Sequence, residues 1–271
     1  MTVPVRINEL EIGSGLPKVC VPLTAKSETA LCEEAKNAKA AKPDLVEWRA
    51  DFYEDLFEVS KTVEMAQKLK EILDDIPLLF TIRTKAEGGN VPISMMDYAE
   101  LNFAAASEGK VNLVDVEVFS TDAEMLGESV AEECKLMIAE MKKNLIEKLH
   151  ETDAKVIASS HDFDKTDSRE ILLKRFQAME ESNADILKMA VMPKCEDDVK
   201  AIMETTDKMR KEYTDKPLVS MSMGALGAIS RIEGEGFGSS ITFATVGAAS
   251  APGQIPIDEL REKMWEFHES I

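Results

Sequence analysis

Basic residues are in short supply in this 271-residue chain: 32 Lys and Arg stand against 51 Asp and Glu, a net charge of −19. That imbalance excludes general attraction to nucleic acid or anionic lipid, and leaves no long-range pull on an acidic small molecule. An anionic ligand would have to be held at short range by individual arginines. Cysteine is sparse as well. Cys20, Cys32, Cys134 and Cys195 form no CxxC pair, which argues against a disulfide frame or zinc site and suits reduced thiols in the cytoplasm. No run approaches the roughly 18 apolar residues of a membrane span, and MTVPVRINEL has no basic segment leading into an apolar one, so neither membrane nor export is expected. Linkers, low-complexity tracts and fixed-period repeats are missing too, so residues 1–271 read as one domain, with 44% hydrophobic residues to fill its core.

What is present is alternation. Short apolar, β-branched runs recur at 18–23, 45–51, 77–83, 113–119, 155–161, 184–191, 217–223 and 240–246, about eight strands in all. Segments of helical period lie between them, such as Val63, Ala66, Leu69 and Leu73. Runs such as LLFTI and KVIAS lack strict polar alternation, as parallel strands covered by helices do. About eight β–α units in a chain of this size predict a closed (β/α)8 TIM barrel. GEGFG follows a helical stretch rather than a strand, does not match the dinucleotide fingerprint, and reads as a flexible loop. The opening VRINELEIGSG alternates around Asn8 and Glu9, predicting a β-hairpin that closes the barrel's bottom.

In such a barrel, chemistry sits at the C-terminal ends of strands. Lys188, inside the apolar strand ADILKMAVM, must be paired, exposed at an end, or kept neutral by desolvation. A neutral amine there can attack a ketone to form an imine; the alternative is a lysine paired with a buried carboxylate such as Glu117. His161 is the one histidine at a strand end. It can serve as a general acid/base with Glu87 as orienter, as a plain hydrogen-bonded loop residue, or as a metal ligand with Asp162 and Asp164. Arg49, Arg83 and Arg231 suit carboxylate binding, with Glu47 two residues from Arg49 on the same strand side; an ordinary salt bridge is the alternative for each. Ser250 and Gln254, in SAPGQ, offer a hydroxyl and an amide after the eighth strand, or form a simple turn.

The motifs VEWRAD, FTIRTKAEGG, SSHDF, DILKMAVMP, SMSMG and SRIEGEGFGSSITFATVGAASAPGQI, in this order through nearly the whole chain, resemble type I 3-dehydroquinate dehydratase. The resemblance implies a homodimeric TIM barrel without metal or external cofactor, acting on 3-dehydroquinate in the shikimate pathway. It implies that Lys188 forms the imine and that His161, tuned by Glu87, moves the protons. Arg231 would hold the substrate carboxylate with Gln254 beside it. Glu47, Arg49, Arg83 and Ser250 would bind hydroxyls or order other polar groups, and Met221, Met223 and Phe243 would line the pocket. The segment from Ile232 to Ser239 looks like the family's lid. Pro22 departs from members that carry a serine there. The competing enzyme reading is a class I Schiff-base aldolase; a catalytically silent barrel would need neither Lys188 nor His161.

Overall fold

The computed structural model describes residues 2–120, 132–247 and 251–271, giving the backbone alone for 132–140. Strands β3 (Lys18–Leu23), β4 (Leu45–Arg49), β5 (Leu78–Thr81), β6 (Leu113–Glu117), β7 (Lys155–Asp162), β8 (Ile186–Val191), β9 (Leu218–Ser222) and β10 (Ile241–Thr245) pair in parallel, each with its neighbour in sequence. β10 pairs with β3, and the ring closes through a Leu218–Ser239 bridge and the Ser240 N–H donating to the Leu218 carbonyl at 2.7 Å. The predicted (β/α)8 barrel is therefore present. A two-residue strand, β11 (Ile255–Pro256), adds to β10 beyond it.

Helices cover the outer face because their apolar stripe matches it. Val59–Leu73 buries Val63, Ala66, Leu69 and Leu73, the four residues picked out by their spacing, and Arg169–Glu181 buries Leu172, Phe176 and Met179. Inside, side chains follow the two-residue strand period. Leu45, Leu79, Leu113, Ile157, Ile186, Val219 and Ile241 form an apolar layer low in the barrel. Two residues further along, five of these strands turn polar on the inside, with Glu47, Thr81, Asp115, Ser159 and Lys188 all buried, while β9 and β10 carry Met221 and Phe243 at that level. The barrel is thus apolar at the bottom and largely polar at the top, with one apolar side formed by β9 and β10.

The hairpin β1 (Val5–Ile7) and β2 (Leu10–Ile12) forms as predicted, pairing antiparallel around Asn8. Ile7 and Ile12 are buried against the apolar layer, so the hairpin plugs the lower end. Gly13 follows at φ 98°, where a Cβ would lie 2.9 Å from the Pro217 ring, so only glycine lets the hairpin seat this closely. The segment expected as a lid is different. Ile229–Ile232 and Gly234–Phe237 are short helices, Gly234 and Phe237 are buried, and Gly234 rests beside Pro17. This segment leads into the N-terminal end of β10, opposite the strand ends that carry chemistry, so it cannot close over them.

Candidate active site

At the top of the barrel the inward side chains meet around a narrow cavity of about 50 Å³. Its wall holds Glu47, Arg49, Arg83, His161, Lys188, Met221, Met223, Arg231, Phe243 and Gln254. Phe163, Ala190 and Ala251 complete it. Strand phase explains the convergence: Glu47 and Arg49 are two apart on β4, Ser159 and His161 on β7, and Lys188 and Ala190 on β8.

Lys188 is buried, but it is not simply a lysine in an apolar wall. Its Nζ donates to Asp115 Oδ2 at 3.0 Å, lies 3.7 Å from Glu47 Oε1, and sits 4.8 Å from the Phe243 ring centre. The buried partner is Asp115, not Glu117. Glu117 is occupied by Arg83 Nη1 at 2.7 Å and by the Thr84 backbone and hydroxyl. Arg83 Nη2 also reaches Asp115 Oδ1 at 3.0 Å, so one carboxylate joins the lysine to the arginine. Burial pushes the Asp115 carboxyl up, but Arg83 and Lys188 outweigh it and hold the group well below the ordinary carboxylate range.

His161 pairs with Glu87 as expected. Glu87 Oε2 accepts from the His161 backbone N–H and lies 2.9 Å from Nδ1. The carboxylate fixes the tautomer: Nδ1 donates, leaving the Nε2 lone pair free to accept a proton. Burial, together with the nearby Arg83 and Lys188, lowers the imidazole well below its usual range, so the neutral form is favoured. Glu87 is itself raised, by burial first and then by Glu117. Its loop is held by Gly89, where a Cβ would lie 1.8 Å from the Arg83 carbonyl oxygen.

The arginines differ sharply in pairing. Arg49 makes a two-pronged pair with Asp51, Nε to Oδ1 at 2.7 Å and Nη2 to Oδ2 at 2.9 Å. Arg231 is 1% exposed, yet among the described residues its guanidinium meets only the Met221 sulfur at 3.7 Å and the Pro252 carbonyl at 3.1 Å, and its Nε has no partner there. Burial lowers its pKa to about 10. A guanidinium buried without a carboxylate carries an uncompensated desolvation cost that an anionic ligand would relieve.

Comparison with known proteins decides the family. The type I 3-dehydroquinase profile matches residues 19–270. The chain belongs to the type I 3-dehydroquinase family. The 3-dehydroquinate dehydratase of Listeria welshimeri is 41% identical over 265 residues, 98% of each chain, and that of Clostridium botulinum 39% over 267 residues, again 98% of each. Among solved structures, a type I 3-dehydroquinate dehydratase from Clostridium difficile with covalent modified comenic acid superposes with a TM-score of 0.89 at 39% identity, covering all of both chains. The 3-dehydroquinate dehydratase of Geobacillus kaustophilus gives 0.89 at 34%, covering 98% of this chain and 97% of that one. The chain is thus a hydro-lyase of this family, whose reaction is dehydration of 3-dehydroquinate in the shikimate pathway.

Of the residues singled out for this dehydratase site, ten line the cavity and Glu87 stands behind His161. Ser250 lies outside the described residues. Sequence reasoning missed Asp115 and Asp51. Asp115 was legible in phase, two residues after inward Leu113, whereas Asp51 lies in the turn beyond β4 where strand phase does not reach; acidic residues are so common here that neither stood out. Asp162, considered as a metal ligand, instead accepts the backbone N–H groups of Asp164 and Lys165.

Proposed function

We propose that the chain dehydrates 3-dehydroquinate to 3-dehydroshikimate through an imine on Lys188, with His161 shuttling the proton. The observation that carries this reading is one cavity holding a buried lysine, a neutral histidine braced by Glu87, and a carboxylate-free guanidinium at Arg231. Arg231 takes the substrate carboxylate with Gln254 nearby. Arg49, Arg83, Glu47 and Ser250 order the hydroxyls and the polar wall, and Met221, Met223 and Phe243 pack against the ring.

Lys188 must first pass a proton from its ion pair with Asp115, and neutral His161 can receive it. The free amine adds to the C3 carbonyl carbon, and the carbonyl oxygen leaves as water, taking one proton from the amine and the one held by His161, which gives the iminium and returns His161 to its neutral form. Nε2 of His161 then removes a proton from C2, and the C–H electron pair flows into the iminium to make an enamine. That pair returns, the C1–O bond breaks, and the hydroxyl leaves as water with the proton His161 carries. One imidazole serving both steps makes the elimination syn. Hydrolysis of the product iminium frees Lys188. In the same reading the chain is one catalytic domain working as a cytoplasmic homodimer, consistent with free thiols at Cys20, Cys32 and Cys195.

The test is the ultraviolet absorbance of the conjugated enone when purified protein meets 3-dehydroquinate. Absorbance is expected to rise with the native chain and stay flat with Lys188→Ala; no rise with folded native chain would overturn the reading.

A further inference from the structure

Four cations face the cavity among the described residues, and they divide by pairing. Lys188 and Arg83 share Asp115, Arg49 is paired with Asp51, and Arg231 has no carboxylate. Two guanidinium groups could therefore compete for a ligand's acid group if they were electrically alike. They are not alike because of Asp51.

Asp51 lies in the turn Ala50–Phe52 directly after β4 and is 2% exposed. Its Oδ1 and Oδ2 take the Nε and Nη2 edge of Arg49, while the Phe52 ring lies 5.1 Å beneath the guanidinium carbon. Arg49 is thereby fixed flat, with its charge compensated and only its remaining N–H groups left for a ligand. The other contacts of Asp51 run to the loop that bears Glu87: the Arg83 backbone N–H at 3.3 Å, and the Asn90 backbone and side-chain amides at 3.3 and 3.0 Å.

We propose that Asp51 is a positioning residue that sets the direction in which the substrate acid binds. By neutralising Arg49 it makes that arginine a donor to neutral hydroxyls and leaves Arg231 as the sole carboxylate subsite. Without Asp51, the acid has a second, reversed way in, which carries the ketone away from Lys188. The inference rests on the dehydratase reading and deepens it.

The test reads charge recognition apart from catalysis, using quinate, an alcohol that cannot form an imine, and its uncharged methyl ester. Calorimetric affinities are compared for Arg231→Ala, Arg231→Ala/Asp51→Asn and Arg231→Ala/Asn90→Ala, with folding checked by thermal melts. Arg231→Ala is expected to lose the preference for quinate over the ester. Adding Asp51→Asn should restore that preference by at least about tenfold, because a bare Arg49 now takes the acid. Asn90→Ala cuts the loop tie but leaves the Arg49–Asp51 pair, so it should restore nothing. The proposal is overturned if Asp51→Asn brings no recovery, or if Asn90→Ala recovers as much. Should the double variant not fold, Asp51→Asn alone should tighten quinate binding and leave the ester unchanged; unchanged quinate binding would equally overturn it. Wild-type failure to turn over 3-dehydroquinate would instead refute the dehydratase reading, so the two failures are distinguishable.

Discussion

Asp115 stands between two buried cations, and its removal takes from Lys188 its shortest ion pair and from Arg83 one of its two short ones. Asp115→Asn is expected to cost about 3–5 kcal/mol, the usual penalty for breaking a buried pair from one side, measured by denaturant unfolding. The pH dependence has a definite sign. The folded-state carboxyl is held below its ordinary 3.8, so as pH falls below that value the unfolded chain binds a proton the folded chain does not. Stability from this group is present above pH 3.8 and lost beneath it, and Asp115→Asn should flatten that acid loss. His161 carries a kinetic counterpart. Because burial and two cations lower its pKa, the basic form persists on acidification through its ordinary 6.5, and the kcat profile should show no acid limb attributable to it there. An acid limb at that pH, removed by His161→Ala in single-turnover experiments, would contradict the assignment. His161→Ala should still form the imine and stall at proton transfer.

Elements supply the rigidity on which those residues depend. Gly89→Ala would drive a Cβ into the Arg83 carbonyl and displace the loop that carries Glu87, so kcat should fall by about tenfold or more while the barrel still melts cooperatively. At the opposite end, Ile12→Ala is expected to lower stability by about 2–4 kcal/mol through a cavity under the apolar layer, with kcat unchanged. Strands and hairpin were legible because burial on both faces demands apolar runs and because Asn8 supplies the positive φ of a tight turn. The segment from Ile232 to Ser239 was misread for an equally physical reason. Glycines and glutamates look like a mobile loop, yet here Gly234 is needed for close packing beside Pro17, and Gly238 ends the helical turn at φ 93°. Asp115 stayed hidden because strand phase, rather than residue type, tells an inward acid from a surface one.

At the scale of the whole molecule, a net charge of −19 opposes the approach of an anionic substrate. Added salt should screen that repulsion over about one Debye length of roughly 10 Å at 0.1 M, so kcat/KM for 3-dehydroquinate should hold level or rise between low and moderate ionic strength. A steep fall would mean that long-range steering, and not local pairing, brings the substrate in. The cavity's cation pattern answers the same problem: attraction is concentrated at Arg231, the other cations being balanced by Asp51, Asp115, Glu47 and Glu117. Most of this constellation could be read from strand ends and family motifs, whereas the balancing aspartates emerge only when the strands are laid side by side.

The most direct measurement treats the protein with borohydride in the presence of 3-dehydroquinate, followed by peptide mass mapping. Activity is expected to disappear and a reduced adduct to lie on Lys188, with none formed in the absence of substrate. An adduct on another lysine, or full activity surviving with no adduct, would contradict imine catalysis at Lys188.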